Sequence, residues 1–258
     1  MRELVGTRRV WSDAADKYVR GIVWKEGENH YQTNRSTTES FDLDTLPITT
    51  PIPMHIFKGR WNPSLSELPP LIPTDSFLKC PSILLPENYD ADRPVRRDFL
   101  TPGYLMVEEA KIYEILKQHP HPNICAYYGC VRDGDDLTAI CLKKYGRILF
   151  NAVWEKDPTL NHTAILDDIS KGLQFLHQTF GLVHNDIKPA NIMLDDAGNA
   201  VIIDFDSCMP IGEEIPWYRK AGTPGWTVDP MPNVSVPEND LYGLTLIGEF
   251  LKGKRLGD

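Results

Sequence analysis

The stretch His184-Asn185-Asp186-Ile187-Lys188-Pro189-Ala190-Asn191, followed by Val201-Ile202-Ile203-Asp204-Phe205-Asp206, decides the fold of this chain. Between the two lie short apolar runs on either side of Asp195-Asp196-Ala197-Gly198-Asn199, the pattern of a β-hairpin. The first stretch ends where the predicted hairpin begins, and Asp204 directly follows the second strand of the hairpin. Asp186 and Asp204 are therefore predicted to lie beside the same hairpin.

Three helices are predicted around this stretch. Residues 163–180 carry apolar side chains on one face, and Thr163 is a suitable cap for the first turn. Residues 240–251 are apolar almost all round, which predicts a buried helix. Earlier in the chain, residues 104–118 have one apolar face that includes a carboxylate, Glu109.

The first half of the chain is predicted to be mainly β, because alternating or apolar runs there are bounded by turn residues. The predicted strands are residues 17–25, 30–33, 54–57, 76–79, 123–128 and 137–142. Frequent prolines from residue 46 to residue 94 argue against long helices in that region. Strands with one helix, followed by a mainly helical half, predict an α+β fold of two lobes with a cleft between them.

Composition excludes several other classes of protein. The chain has 258 residues, of which 41% are apolar, and a net charge of -9 without a basic run, so neither nucleic acid nor an anionic membrane is expected as a partner. Five cysteines without a CxxC pair indicate neither a zinc site nor a disulfide framework. No apolar signal region or membrane-spanning stretch is found, and a cytoplasmic or nuclear location is expected.

The pattern HxDxKxxN, then a hairpin, then an apolar strand ending in Asp-Phe, resembles the protein-kinase superfamily. Together with Phe-Leu-Lys-Cys-Pro from residue 77 and His-Pro-His-Pro-Asn-Ile from residue 119, it is similar to a group of fungal serine/threonine kinase-like proteins. The resemblance implies a small, mainly β N-lobe with one helix and a mainly helical, truncated C-lobe. We divide the chain into an N-terminal extension or extra strands (1–50), an N-lobe (51–145) and a shortened C-lobe (146–258).

The same resemblance implies ATP- and Mg²⁺-dependent phosphoryl transfer to a serine or threonine hydroxyl of a protein substrate. This reaction needs an oriented hydroxyl and neutralised phosphate charge, and the residue types match that need. By resemblance, Asp186 orients the hydroxyl, Lys188 meets the transferred phosphate, and Thr223 hydrogen-bonds near both. Asn191 and Asp204 would hold the magnesium ions.

The nucleotide site is expected to include Lys79, Glu109 and Leu142. In kinases a strand lysine, held by a glutamate of the first helix, contacts the phosphates. Lys79 is the best strand candidate, although Lys58 has a similar local setting. Glu109 is preferred to Glu108 because it lies at the centre of the apolar stripe, where a carboxylate requires a positive partner.

Three departures from the kinase pattern leave the function open. Asn185 replaces the usual arginine, so control by phosphorylation of the activation segment is not expected. Asp206 replaces the usual glycine, and small-molecule kinases of the aminoglycoside phosphotransferase type often carry an acidic residue at this position. No glycine-rich loop precedes Lys79. A pseudokinase that acts as a binding module and a small-molecule kinase therefore remain alternatives to a protein kinase.

The end of the sequence departs from the pattern as well. Asn239-Asp240-Leu241-Tyr242-Gly243 matches the start of the helix that anchors the catalytic loop, with Asp240 as the anchoring carboxylate. Val228-Asp229-Pro230 replaces the usual Ala-Pro-Glu, and only seven residues follow Leu251. An apolar helix needs cover, so we expect either a reduced lobe or an oligomer, partner or omitted segment over this surface.

Overall fold

The computed structural model describes residues 1–12, 15, 17–82, 101–216 and 219–254. The sequence between Lys79 and Glu109 is long and contains prolines, which predicts an inserted loop; it falls largely within residues 83–100, outside the described residues. The predicted α+β architecture is confirmed: two antiparallel sheets and one helix precede a part with three helices and short strands. No helix within the described residues combines the length and apolarity needed to span a bilayer.

The first sheet is an antiparallel meander at the start of the chain. Its strands are β1 (Arg2–Ser12), β2 (Lys17–Glu26) and β3 (Asn29–Arg35). The predicted β2–β3 hairpin is confirmed, with Gly27 in the turn at φ 60°, a conformation that favours glycine. Strand β1 is not among the strands predicted from the sequence. One face of the sheet buries Ile22, Trp24 and Tyr31 against Leu46 from the following segment.

The second sheet is built around its longest strand. Its members are β4 (Gly59–Arg60), β5 (Ser76–Lys79), β6 (Tyr127–Asp133) and β7 (Asp136–Lys143). β6 pairs with one edge of β7, while β4 and β5 share the other edge end to end. The strand predicted at residues 54–57 is wrong: Met54–Phe57 is a 3₁₀ helix. Pro53 precedes it, and proline suits the start of a helical turn better than a paired strand.

The first α-helix, α1 (Pro102–Leu116), connects this sheet to the rest of the molecule. It begins two residues before the predicted start, because Thr101 accepts a hydrogen bond from the Tyr104 amide (3.1 Å) and Pro102 takes the first helical position. Gly103 lets the helix touch β4, since a Cβ there would lie 2.3 Å from the carbonyl oxygen of Lys58. The helix is thereby fixed against the sheet.

The C-terminal part surrounds a buried hairpin. Its elements are β8 (Arg147–Ile148), α2 (Leu149–Trp154), α3 (His162–Phe180), β9 (Leu182–Val183), β10 (Ile192–Leu194), β11 (Ala200–Ile202), β12 (Met209–Pro210) and α4 (Pro237–Leu251). β10 pairs with β11 and with β8, and β9 pairs with β12. The cap predicted for α3 is wrong by two residues, because the Asn161 side chain, not that of Thr163, accepts from the Ala164 amide (3.1 Å).

The expectation that α4 is buried all round is correct for one side only. Leu246, Ile247, Phe250 and Leu251 are buried, and α4 lies against α3 and β9. Within the described residues, Leu241 is 48% exposed and Tyr242 is 40% exposed. The helix thus packs on the side that faces α3 and β9, which positions its first turn beneath the loop between β9 and β10.

Candidate active site

The loop between β9 and β10, residues 184–191, is held from below by α4; we call it the catalytic loop. Asp240, fully buried in the first turn of α4, accepts hydrogen bonds from the backbone amides of His184 (2.9 Å) and Asn185 (2.8 Å). Its carboxylate also hydrogen-bonds His177 Nε2 of α3 at 2.8 Å. Gly243 allows close approach, because a Cβ there would lie 2.5 Å from the carbonyl oxygen of Ile187.

Four donors converge on the Asp186 carboxylate, whose side chain is fully buried. Thr223 Oγ1 donates to Oδ1 at 2.6 Å. Oδ2 accepts from Lys188 Nζ (2.6 Å), Lys220 Nζ (2.5 Å) and Asn191 Nδ2 (3.0 Å). Lys188 also donates to Thr223 at 2.7 Å. The structure therefore brings together four residues predicted from the sequence to form the site (Asp186, Lys188, Asn191 and Thr223). Lys220, which was not predicted, lies in the same cluster.

The surrounding charges fix the ionisation of this cluster. Burial opposes ionisation of Asp186, but the ammonium groups of Lys220 and Lys188 hold the pKa of its carboxyl below the usual value. Burial lowers the pKa of Lys188, against the effect of Asp186. Burial acts the same way on Lys220, but Asp206 and Asp186 outweigh it and raise the pKa of this lysine. Asp186 and Lys220 therefore form an ionised pair.

Lys79 joins the N-terminal part to this cluster. From the end of β5, its ammonium donates to Glu109 Oε1 of α1 at 2.6 Å and also to Asp204 Oδ1. Glu109 is 3% exposed, and burial raises the pKa of its carboxyl while Lys79 acts in the opposite direction. Burial likewise opposes ionisation of Asp204, but Lys79 lowers the pKa of that carboxyl to about 2. Lys79 thus bridges two carboxylates from different parts of the fold.

The other nucleotide-site candidates lie elsewhere. Lys58 is half-exposed and forms an ion pair with Asp136 (3.0 Å) at the far end of β7, so it is not the lysine beside Glu109. Leu142 is buried within the second sheet, where it pairs with Phe77 of β5 and Tyr127 of β6. It borders β5, the strand that carries Lys79.

A column of aromatic rings crosses from the second sheet to the catalytic loop. Tyr127 stacks on Tyr113 (ring centroids 5.5 Å apart), Tyr113 meets Phe205 edge-on (5.4 Å), and Phe205 lies 5.0 Å from His184. Sequence reasoning missed Tyr113, although it lies four residues after Glu109 and hence on the same face of α1. This column fixes Phe205, so Asp204 is held at the bottom of the site in a left-handed conformation (φ 68°).

The acidic side chains at this point fit a hard divalent cation. Asp186, Asp204 and Asp206 each offer an oxygen, and these three oxygens lie within 4.8 Å of one another. Asn191 directs its amide nitrogen to the backbone oxygen (2.9 Å) and side chain of Asp186, which leaves its amide oxygen as the atom it offers a cation. Carboxylate and amide oxygens are the ligands that Mg²⁺ prefers in proteins.

Asn185, which stands where kinases usually have an arginine, is part of a neutral network. Its side-chain nitrogen donates to Ser235 Oγ (2.9 Å), and its side-chain oxygen accepts from Asn239 Nδ2 (2.9 Å). The residue is buried and adopts a left-handed backbone conformation, φ 63°, which asparagine tolerates better than most residues. The position therefore supports the loop and offers no cation to a phosphate group.

Comparison with known proteins agrees with this geometry. The family described as "Protein kinase domain" matches residues 103–231, which are 129 of the 258 residues. The chain is 31% identical over 120 residues to "Probable serine/threonine-protein kinase mkcB" of Dictyostelium discoideum, covering 45% of this chain and 16% of that protein. It is 32% identical over 115 residues to "Serine/threonine-protein kinase pak-2" of Caenorhabditis elegans, covering 44% of this chain and 22% of that one.

A solved structure, "Crystal Structure of the yeast RNA Pol II CTD kinase CTDK-1 complex", matches with a TM-score of 0.49 at 17% identity, over 57% of this chain and 51% of that chain. The chain spans less than a quarter of the length of the two relatives named above. The family match runs from the start of α1 past Thr223, and so includes the catalytic loop, the hairpin and Asp204. The resemblance drawn from the sequence is confirmed, and the chain belongs to the protein kinase family.

Proposed function

We propose that this chain is an ATP- and Mg²⁺-dependent protein kinase domain that phosphorylates serine or threonine hydroxyls. The ion pairs of Lys79 carry the proposal, because its ammonium joins Glu109 of α1 to Asp204 beside the catalytic loop. A lysine held in this way is placed to contact nucleotide phosphates, and the carboxylates of buried Glu109 and half-buried Asp204 keep it charged.

Each residue of the catalytic loop has a part in the proposed transfer. Asp186 orients the substrate hydroxyl and takes its proton while the hydroxyl oxygen bonds to the γ-phosphorus and the bond from phosphorus to the ADP oxygen breaks. Lys188, fixed between Asp186 and Thr223, stabilises negative charge on the transferred group. Mg²⁺, when bound, neutralises phosphate charge, and Asn191 and Asp204 would hold it.

The position of Thr223 favours a protein substrate over a small molecule. Its hydroxyl donates to Asp186 and accepts from Lys188, so the segment that follows Lys220 is attached directly to the reacting groups. The stretch Ala221-Gly222-Thr223-Pro224-Gly225-Trp226 resembles the end of the activation segment of serine/threonine kinases, which positions the backbone of an incoming peptide. If phosphate transfer occurs only to hydroxylated metabolites and survives Thr223→Ala, the protein-substrate proposal is wrong.

The proposed function is tested by separating nucleotide binding from turnover. We expect ATP with Mg²⁺ to raise the melting temperature of the wild-type chain, and we expect Asp204→Ala to abolish that rise. Asp186→Ala should keep the rise but lose nearly all peptide phosphorylation, because it removes the group that orients the hydroxyl. Asp135→Ala, at a fully exposed position, is the control for removal of a carboxylate. The absence of any rise with the wild-type chain would refute the proposal.

One observation favours a second candidate, a kinase-like module that binds nucleotide without efficient transfer. Within the described residues, β5 pairs with β7 only, and Phe77 and Leu78 on β5 are 52% and 42% exposed. Among the described residues, therefore, no strand covers Lys79 in the position where it could contact nucleotide phosphates from above. ATP-dependent stabilisation without phosphate transfer to a peptide library would support this candidate and refute the catalytic proposal.

A further inference from the structure

Lys220 is the residue of this site that the kinase motif does not account for. It precedes Gly222 and Thr223, and its ammonium lies 2.5 Å from Asp186 Oδ2. The other three donors to Asp186 come from the catalytic loop or from Thr223, all of which have roles in the proposed function. A role for Lys220 in regulating that same site rests on the proposed function.

Three of the four donors to the Asp186 carboxylate crowd one of its oxygens, Oδ2. An ionised carboxylate has two oxygens with about four lone-pair sites. Lys188, Asn191 and Lys220 all donate to Oδ2, which is thereby fully occupied, whereas Oδ1 accepts from Thr223. A substrate hydroxyl needs one of these sites to be oriented by Asp186. Oδ2 is therefore open to a substrate hydroxyl only after a donor leaves, and Lys220 is the donor outside the catalytic set.

The ammonium of Lys220 also lies where a divalent cation would bind. It contacts Asp186, whose carboxylate lies close to those of Asp204 and Asp206. An ammonium among three carboxylates neutralises part of their charge, and it repels a second cation at the same place. Lys220 and Mg²⁺ thus need overlapping sets of oxygens.

The surroundings of Lys220 indicate which group can withdraw. Its side chain is 39% exposed, against 14% for Lys188, so it is the more accessible of the two ammonium groups on Asp186. The segment is fixed one residue earlier, where Arg219 donates to the Cys208 carbonyl oxygen (3.0 Å) and forms an ion pair with Glu108 of α1 (3.4 Å). The contact of Lys220 with Asp186 is therefore coupled, through Arg219 and Glu108, to the position of α1, the helix that carries Glu109.

We propose that Lys220 is a tethered cation that inhibits the active site by competing with the substrate hydroxyl for Asp186 Oδ2 and with the divalent cation for the neighbouring carboxylates. Withdrawal of the segment that carries it opens both positions. The inhibition is built into the chain and requires no phosphorylation, in keeping with the neutral side chain of Asn185.

Mn²⁺, as a spectroscopic substitute for Mg²⁺, tests the competition directly on the full chain without nucleotide. Electron paramagnetic resonance of free Mn²⁺ measures the affinity. We expect Lys220→Met to bind the ion about tenfold more tightly than wild type, because one positive charge leaves the site. Lys220→Arg keeps the charge and should bind Mn²⁺ as wild type does, which separates loss of charge from damage to the fold. Lys171→Met, at an exposed lysine of α3, is the control for removal of a lysine and should change nothing.

Each outcome has a distinct meaning. Tighter binding by Lys220→Met but not by Lys220→Arg supports the tethered cation. Unchanged or weaker binding by Lys220→Met, while Asp204→Ala still abolishes binding, overturns the tethered cation and leaves the proposed function intact. If Asp204→Ala binds Mn²⁺ as well as wild type in both Lys220 backgrounds, the metal site itself is wrong and both proposals fail.

Discussion

The contact between α4 and the catalytic loop can be tested by adding a single methyl group. In Gly243→Ala, the new Cβ would lie 2.5 Å from the Ile187 carbonyl oxygen and 2.9 Å from Ile187 Cβ. Neither distance is tolerable between non-bonded atoms, so either α4 or the loop must move. Gly248→Ala on the same helix is the matched control, since its Cβ would meet only Leu166, with Cδ1 at 3.7 Å, an ordinary contact.

The magnitude follows from two opposing effects. Replacing glycine by alanine within a helix stabilises it by about 1 kcal/mol, and this gain applies to both variants. Overpacking at a rigid contact destabilises by about 1–3 kcal/mol, and this loss applies to Gly243→Ala alone. The two variants should therefore differ by about 1–3 kcal/mol in free energy of unfolding, or by about 3–9 °C in melting temperature for a chain of this size.

Turnover provides the second measurement. Ile187 is adjacent to Asp186, so a displacement of about 1 Å there should lower kcat by about a hundredfold for Gly243→Ala. Gly248→Ala should keep the kcat of wild type. Thermal melts and steady-state kinetics on peptide substrate check both statements. Equal melting temperatures and equal kcat for the two variants would refute the conclusion that α4 fixes the loop through this contact.

Three further predictions concern the same site. Asp240→Ala leaves the buried amides of His184 and Asn185 without their acceptor and should lower the free energy of unfolding by about 2–6 kcal/mol in urea, whereas a loss under about 1 kcal/mol would contradict its anchoring role. The pKa of Asp204, about 2 against an ordinary 3.8, means that its charge contributes stability above pH 4 that is lost as the pH falls towards 2. Lys79→Met should flatten that acid-side loss in melts across this range, and an unchanged pH profile would show that the two groups are not paired in solution. Because Asn185 offers no cation, phosphatase treatment should leave peptide phosphorylation unchanged, and loss of activity would overturn the expectation that the activation segment needs no phosphate.

Sequence reasoning worked best where local spacing alone determines which residues meet. Residues 184–206 lie close together along the chain, and a short hairpin places Asp186 near Asp204 whatever the rest of the fold does. Burial favours Glu109 over Glu108 because a buried carboxylate demands a cationic partner, and the structure indeed pairs Glu109 with Lys79. The first inference depends on the spacing of residues along the chain and the second on the helical period of apolar side chains, and both can be read from a single sequence.

The remaining features depend on contacts between distant segments. Nothing local distinguishes Lys220 from a solvated lysine, and its role becomes visible only when Asp186 is placed beside it. The 3₁₀ helix Met54–Phe57 and the strand β1 were missed because short apolar runs fit more than one structure until their neighbours are known. The exposed side of α4 likewise depends on which elements surround it, which the period of its sequence does not encode.

The meander at the start of the chain has a consequence for the order of folding. Its strands pair with their sequence neighbours, and Leu46 completes its apolar core, so its contacts close only short loops. Lys79 and Asp204, by contrast, meet across 125 positions of sequence. Local contacts form faster than distant ones, and N-terminal segments leave the ribosome first. We therefore expect the meander to form during synthesis, while the charged cluster assembles only after the hairpin that precedes Asp204 has emerged.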